Sequence, residues 1–267
     1  MSEFEKLKVV IEYEFLKHIR RKRLYVILGL ALLAELAVII GVPALMDGYP
    51  DSVMVMAAML TVGPSLAAIG AVFFAGDAIA GEFESKTGFM LFTNPVRRIT
   101  LWTGKYLASL VAVALLVAFS YIIISITLLA IYGNVPIETA KSFGLALLFA
   151  ASVLSVTFFF SSVSKGAMGA TVMTLLFIMV ISGIVESVLM FAGKPYWFML
   201  SAGGDSIALV YVDMELLMEG FMPQGGMGML PFGFEIPDIG LTTLGMVIYL
   251  VVGFVLSIWI SGRRQLA

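Results

Sequence analysis

Six stretches of this chain, at 24–45, 53–76, 103–133, 143–164, 166–192 and 240–261, are apolar over the length needed to cross a bilayer. That repetition constrains the fold more than any motif. In hydrocarbon every backbone N–H and C=O must find its partner inside the protein, which for runs of roughly 20 residues means helices. The expected fold is therefore an all-α polytopic membrane protein of six transmembrane helices. The composition agrees, with 61% hydrophobic and 13% charged residues and a mean hydropathy of +1.05. A chain of 267 residues has room for these spans and their connections in a single transmembrane domain, 1–267, and none for a soluble domain of ordinary size. With no cysteine, disulfides and thiol chemistry are excluded.

Orientation follows from the cations, which accumulate in short cytoplasmic segments. With the N-terminus inside, Lys141 and Lys194 alone of the 16 Lys and Arg residues fall outside. The external connections are acidic, carrying Asp47, Asp51, Glu138, Asp205, Asp213, Glu215, Glu219, Glu235 and Asp238. Both termini are then cytoplasmic, in a multi-pass protein of the plasma membrane. The apolar run after the basic start is longer than a signal peptide's core, so it reads as an uncleaved signal-anchor helix.

Residues 1–23 form a cytoplasmic segment. Phe4, Leu7, Ile11, Phe15 and Ile19 recur at spacings of three and four, which predicts an amphipathic interfacial helix. The third apolar run exceeds what a bilayer requires, so its first turns around Lys105 project into the cytosol or the helix tilts. Ser164, Lys165 and Gly166 make a tight turn between the fourth and fifth spans.

Residues 77–100 are the charged exception between apolar spans. Asp77, Glu82, Glu84 and Lys86 are punctuated by Gly81 and Gly88, then followed by Asn94-Pro95 and the pair Arg97-Arg98. Ile79, Phe83, Phe89, Met90, Leu91 and Phe92 lie among them, a pattern for one or two short amphipathic helices. A plain connection needs only a handful of residues, and mixed charge suits a protein partner better than lipid alone.

With Gly76-Asp77, Glu82, Thr87-Gly88, Asn94-Pro95-Val96-Arg97-Arg98 and Gly104-Lys105, the chain resembles the permease subunits of ATP-binding-cassette exporters of type 2 architecture. The span plan resembles theirs along nearly the whole length. Phe89 stands where the family often has a smaller aliphatic residue, and Arg97 replaces the usual Ser. The resemblance implies a cytoplasmic coupling helix at 77–93, between spans 2 and 3, seated in a groove of a soluble ATPase. It assigns ATPase docking to Asp77, Glu82, Phe83, Glu84, Lys86, Thr87, Arg97 and Lys105, with Glu82 and Glu84 as the main polar contacts. Arg97 and Lys105 would orient the return into the membrane. Ordinary positive-inside anchoring is the competing account of Arg97, Arg98 and Lys105. The implied complex holds two ATPase subunits and two permeases, the second a copy of this chain or a related one.

No G-x-x-x-x-G-K-[ST] phosphate loop occurs in the sequence. The expectation is no cofactor, metal or catalytic site in this chain, with ATP and Mg on the partner ATPase, and no nucleic acid. The alternatives are a membrane-embedded enzyme or a secondary transporter. An enzyme needs a reacting constellation, and the single histidine, His18, sits in the basic N-terminal segment, where an exposed cytoplasmic role is expected. A secondary transporter needs no elaborate 77–100 segment, and no inverted repeat is evident.

Two acids interrupt spans and become candidates for a translocation path. Glu35, near the middle of the first span, faces the path between subunits or is protonated and hydrogen-bonded to a neighbouring helix. Glu186 lies near the external end of the fifth span, where snorkelling also explains it. Gly63, Ala67, Ala71 and Ala75 recur every fourth residue in the second span, a strip for close packing within the subunit or across a dimer seam. The external segment 193–239 is too long for a simple connection; its stretch from Ile207 to Met218 reads as a short external helix or part of a re-entrant pair. Met199, Met214, Met218, Met222, Met227 and Met229 there read as adaptable apolar fillers ahead of a soft-metal site.

Overall fold

The computed structural model describes residues 2–85, 96–211 and 238–263. Among these residues six helical segments are long and apolar enough to cross a membrane: Lys22–Leu45, Val53–Glu84, Arg98–Tyr132, Glu138–Val163, Ala167–Phe191 and Ile239–Arg263. These are spans 1 to 6. They match the apolar runs to within a few residues at most ends, and all regular elements described are helical. The tight turn at Ser164–Gly166 lies where the sequence put it.

The N-terminal helix Glu3–Arg20 begins at Ser2, whose hydroxyl accepts from the Glu5 N–H while the Glu5 carboxylate accepts from the Ser2 N–H. This capping box satisfies two donors that a helix start leaves orphaned. The helix packs along the first turns of span 3. Its inward face holds Leu7, Val10, Glu14 and His18; Leu7, Ile11, Phe15 and Ile19 of the expected stripe are partly buried and Phe4 is 76% exposed. Glu14 and His18 find polar partners on span 3, which periodicity of apolar residues cannot register.

Span 2 is a broken helix of four pieces: Val53–Leu60, Val62–Ile69, Ala71–Ala75 and Ala80–Glu84. Pro64 lies in the first turn of the second piece, where its missing N–H is tolerated. The helical run goes on past residue 76, through a turn at 76–79, as far as Glu84, and Ile79 and Ala80 are fully buried. The small-residue strip faces inward, with Ala67, Ala71 and Ala75 at zero exposure and Gly63 against Glu35.

Spans 3 and 4 form the core, and span 4 is its polar hub. Ser142 donates to the Ile207 carbonyl at 2.7 Å and pairs with the Tyr121 hydroxyl at 2.6 Å. Ser152 donates to Met246 O of span 6 at 2.8 Å, and Ser155 meets the Tyr106 hydroxyl of span 3 at 2.9 Å. Such bonds substitute for the hydrophobic effect, which is absent between helices in lipid. Span 6 packs on span 4 with Gly253 so close that an added Cβ would lie 3.0 Å from the Ser155 backbone.

Span 5 carries a π-helical turn, Leu176–Ile181, between the α-helical pieces Ala167–Leu175 and Ser182–Phe191. Beyond it a helix forms at Leu200–Leu209, which sequence reasoning did not anticipate; Gly203 and Gly204 seat it against Phe149 and Met246, and their low helix propensity hid it. Residues 212–218 of the expected helix, and Met214, Met218, Met222, Met227 and Met229, lie outside the described residues.

Candidate functional site: the C-terminal end of the second span

The break between Ala75 and Ala80 leaves backbone groups that the helix cannot satisfy. Ser161 of span 4 supplies them. Its Oγ accepts the N–H groups of Ile79 and Ala80 at 3.2 and 3.0 Å and donates to the Gly76 carbonyl at 2.9 Å. One side chain thereby makes an irregular backbone tolerable at membrane depth.

The residues after this bracket bind the element to its other neighbours. Asp77 is ion-paired with Arg21, and Arg23 Nη1 lies 3.4 Å away, both at the entry to span 1. Glu82 Oε1 accepts from Lys105 Nζ of span 3 at 2.7 Å, and Lys17 Nζ lies at 3.8 Å. Lys105 also donates to Glu14 Oε1 of the N-terminal helix at 2.7 Å. Phe83 stacks on Trp102 with ring centroids 6.4 Å apart. Glu84 Oε2 accepts from the Ala167 N–H at 2.8 Å, placing a carboxylate at the N-terminus of span 5, where the helix dipole favours it. Residues 77–85 thus touch the N-terminal helix and spans 1, 3, 4 and 5.

Lys105 is 1% exposed because the N-terminal helix covers it, with Gly104 allowing the approach: an added Cβ would meet Val10 Cγ1 at 2.5 Å. The cation is held between two carboxylates, an arrangement in which the desolvation of each charge is offset by the others. For Glu14, burial acts to raise the carboxyl's pKa, but the Lys105 and Lys17 cations outweigh it and hold the group below its usual range.

His18 is likewise not exposed. It is 4% exposed, with Nε2 3.1 Å from Ser109 Oγ and its ring edge-on to Phe74 at 5.2 Å. Burial pushes its pKa down to about 4, against smaller opposing effects from Glu14 and Asp77. It is therefore neutral at physiological pH.

Outside this network the surface opens into a cleft of about 730 Å³. The N-terminal helix lines it with Tyr13, Leu16, Lys17 and Arg20, and residues 77–85 with Asp77, Gly81 and Ser85. Glu84 and Ser85 are exposed, as is Arg97 at the start of span 3. Arg98 instead donates to the Gly262 carbonyl at the end of span 6, at 3.2 Å. Lys86 and Thr87, with the rest of the expected coupling helix to residue 93, lie outside the described residues.

The two translocation candidates are far apart in kind. Glu35 is fully buried within the subunit, between spans 1, 2 and 3. Glu186 is partly exposed and hydrogen-bonded to Asp205 of Leu200–Leu209. Sequence reasoning missed Glu14, His18, Ser109 and Ser161 as parts of this network. Glu14 and His18 sit four residues apart on one helix face, a polar pair that could have signalled the docked side.

A comparison with curated proteins finds no match. A family model described as ABC-2 family transporter protein matches residues 10–183, a stretch that holds the N-terminal helix from Val10, spans 1 to 4 and most of span 5. The chain, a multi-pass membrane permease by its six spans, belongs to the ABC-2 transporter family.

Proposed function

We propose that this chain is the membrane permease subunit of an ABC exporter. It moves substrate by alternating access, driven by a separate soluble ATPase that carries ATP and Mg. Family membership supports the ATPase partner. The observation that carries the coupling is the position of residues 77–85, bonded to the N-terminal helix and to spans 1, 3, 4 and 5. A load applied there reaches most of the bundle through packed or hydrogen-bonded groups, because close-packed interiors transmit displacement.

Docking falls to two layers of the assigned residues. Glu84, Lys86, Thr87 and Arg97 belong to the layer presented to the ATPase. Asp77, Glu82, Phe83 and Lys105 stand behind it and fix its position. Two permeases, this chain with a second copy or a related one, and two ATPases make the complex, embedded in the plasma membrane with both termini cytoplasmic. Exporters of this design shelter substrate between subunits, so Glu186 at the external end belongs to the exit side of the path.

Purification of the tagged chain from its native membranes in mild detergent tests this reading. Co-elution of a soluble ATPase in stoichiometric amount, with vanadate-sensitive hydrolysis, is expected. An intact permease that reproducibly comes without one would overturn it.

A further inference from the structure

The buried residues of span 1 are Ile27, Ala31 and Glu35, one stripe at fourfold spacing, flanked by partly buried Leu24, Leu28, Val38, Ile39 and Val42 that pack against the core. Glu35 lies roughly 20 Å along a helix of roughly 36 Å, close to mid-membrane. It is the one polar member of the stripe that attaches the span.

The seat of this carboxyl is built by its neighbours. Gly63 of span 2 lacks the side chain that would overlap it, and Ser120 of span 3 stands beside it at zero exposure. The Ser120 hydroxyl is the one polar side chain that acts on the Glu35 carboxyl, and neither group has any other hydrogen-bond partner among the described residues. Among the described residues no Lys, Arg, His, Asp or second Glu faces it from span 2 or span 3. A lone carboxylate at this depth costs about 3 kcal/mol or more, and no cation is present to offset it. Two carboxyl oxygens and one hydroxyl are too few for a metal shell, which takes six or more oxygens for calcium. They suffice for a proton.

We propose that Glu35 is a proton-binding site that locks span 1 against spans 2 and 3. In the conformation described the site is occupied, and the neutral acid packs into the Gly63 notch. When span 1 moves away and water reaches the carboxyl, the O–H bond breaks. The proton passes to water, and the carboxylate so formed opposes return of the span. Arg21 is at once the end of the N-terminal helix and the start of span 1, so displacement of that helix acts on the lock directly. The proposal needs only that span 1 lies in hydrocarbon; it holds with or without an ATPase partner.

Two measurements on the reconstituted full chain test it. Infrared difference spectra in H2O and D2O at neutral pH should show the C=O band of a neutral carboxylic acid that disappears in Glu35→Gln. Gly63→Ala, which evicts the carboxyl from its notch, should shift that band to the range of a hydrated, titrating acid. Because the chain has no cysteine, Ala31→Cys on the same stripe reports seating of the span. At one fixed alkaline pH, a water-soluble thiol reagent should label it several-fold more slowly when Glu35→Gln is also present. A carboxylic band that Glu35→Gln leaves in place, or equal labelling rates, would overturn the proposal.

Discussion

The ammonium of Lys105 lies 2.7 Å from the Glu82 carboxylate, although both side chains are almost wholly buried. It lies at the same distance from Glu14, 91 residues away in sequence. This cation joins the N-terminal helix to the ends of two spans. Lys105→Met would leave the Glu14 and Glu82 carboxylates with only the more distant, partly exposed Lys17 cation, at a cost approaching the roughly 3–5 kcal/mol of a broken buried pair. The expected outcome in detergent is a lower unfolding temperature and faster tryptic cleavage at Lys17 and Arg20. Lys105→Met with Glu14→Leu and Glu82→Leu should recover much of the loss.

His18 predicts an acid-sensitive contact. Its pKa falls from 6.5 to about 4 on burial, so the unfolded or undocked state binds the proton more readily. The stabilisation is complete above pH 6.5 and is lost as pH falls from there to about 4. Its upper limit is about 3 kcal/mol. Hydrogen exchange in the N-terminal helix should quicken over that window, and His18→Gln should flatten the dependence.

Ser161→Ala removes the bracket around the span 2 break. The Ile79 and Ala80 N–H groups and the Gly76 carbonyl would then be buried with one partner fewer, and each unsatisfied group costs about 1–3 kcal/mol. Thermal unfolding should shift down accordingly. Ser161→Thr retains the hydroxyl and should lose less.

Gly104→Val should lift the N-terminal helix, since even a Cβ at this position meets Val10. Overpacking of this kind costs about 1–3 kcal/mol. Val10→Ala in the same chain should restore part of the stability, a compensation that double-mutant analysis of unfolding would detect.

The sequence laid out the membrane plan because hydrocarbon imposes it. A run from Lys22 to Leu45 or from Ile239 to Arg263 has one structural solution, and its ends are marked by charge or turn residues. Span 3 starts earlier than its apolar run because Arg98 and Thr100 are satisfied by Gly262 and Glu3, partners that hydropathy does not see. The same reason hid the network around Lys105. Residues 77–85 carry charges that read as solvated, yet Glu82 is buried because Lys105 and the N-terminal helix close over it. His18 looked exposed because it stands in a basic segment, and only the approach of Ser109 and Phe74 buries it. Pairings across so many residues follow from tertiary packing and leave no local period.

The central claim, that a soluble ATPase acts on this chain at the 77–85 element, is tested most directly by crosslinking from engineered single cysteines. Ser85→Cys places a thiol on the exposed rim of the cleft beside the N-terminal helix, and Ile137→Cys, 70% exposed, places one at the connection between spans 3 and 4. With a short thiol-reactive photo-crosslinker in native membranes, the account predicts that Ser85→Cys captures an ATPase with vanadate-sensitive activity and Ile137→Cys does not. Capture of that ATPase from Ile137→Cys, or its failure to crosslink from Ser85→Cys while it co-purifies with the permease, would contradict the account.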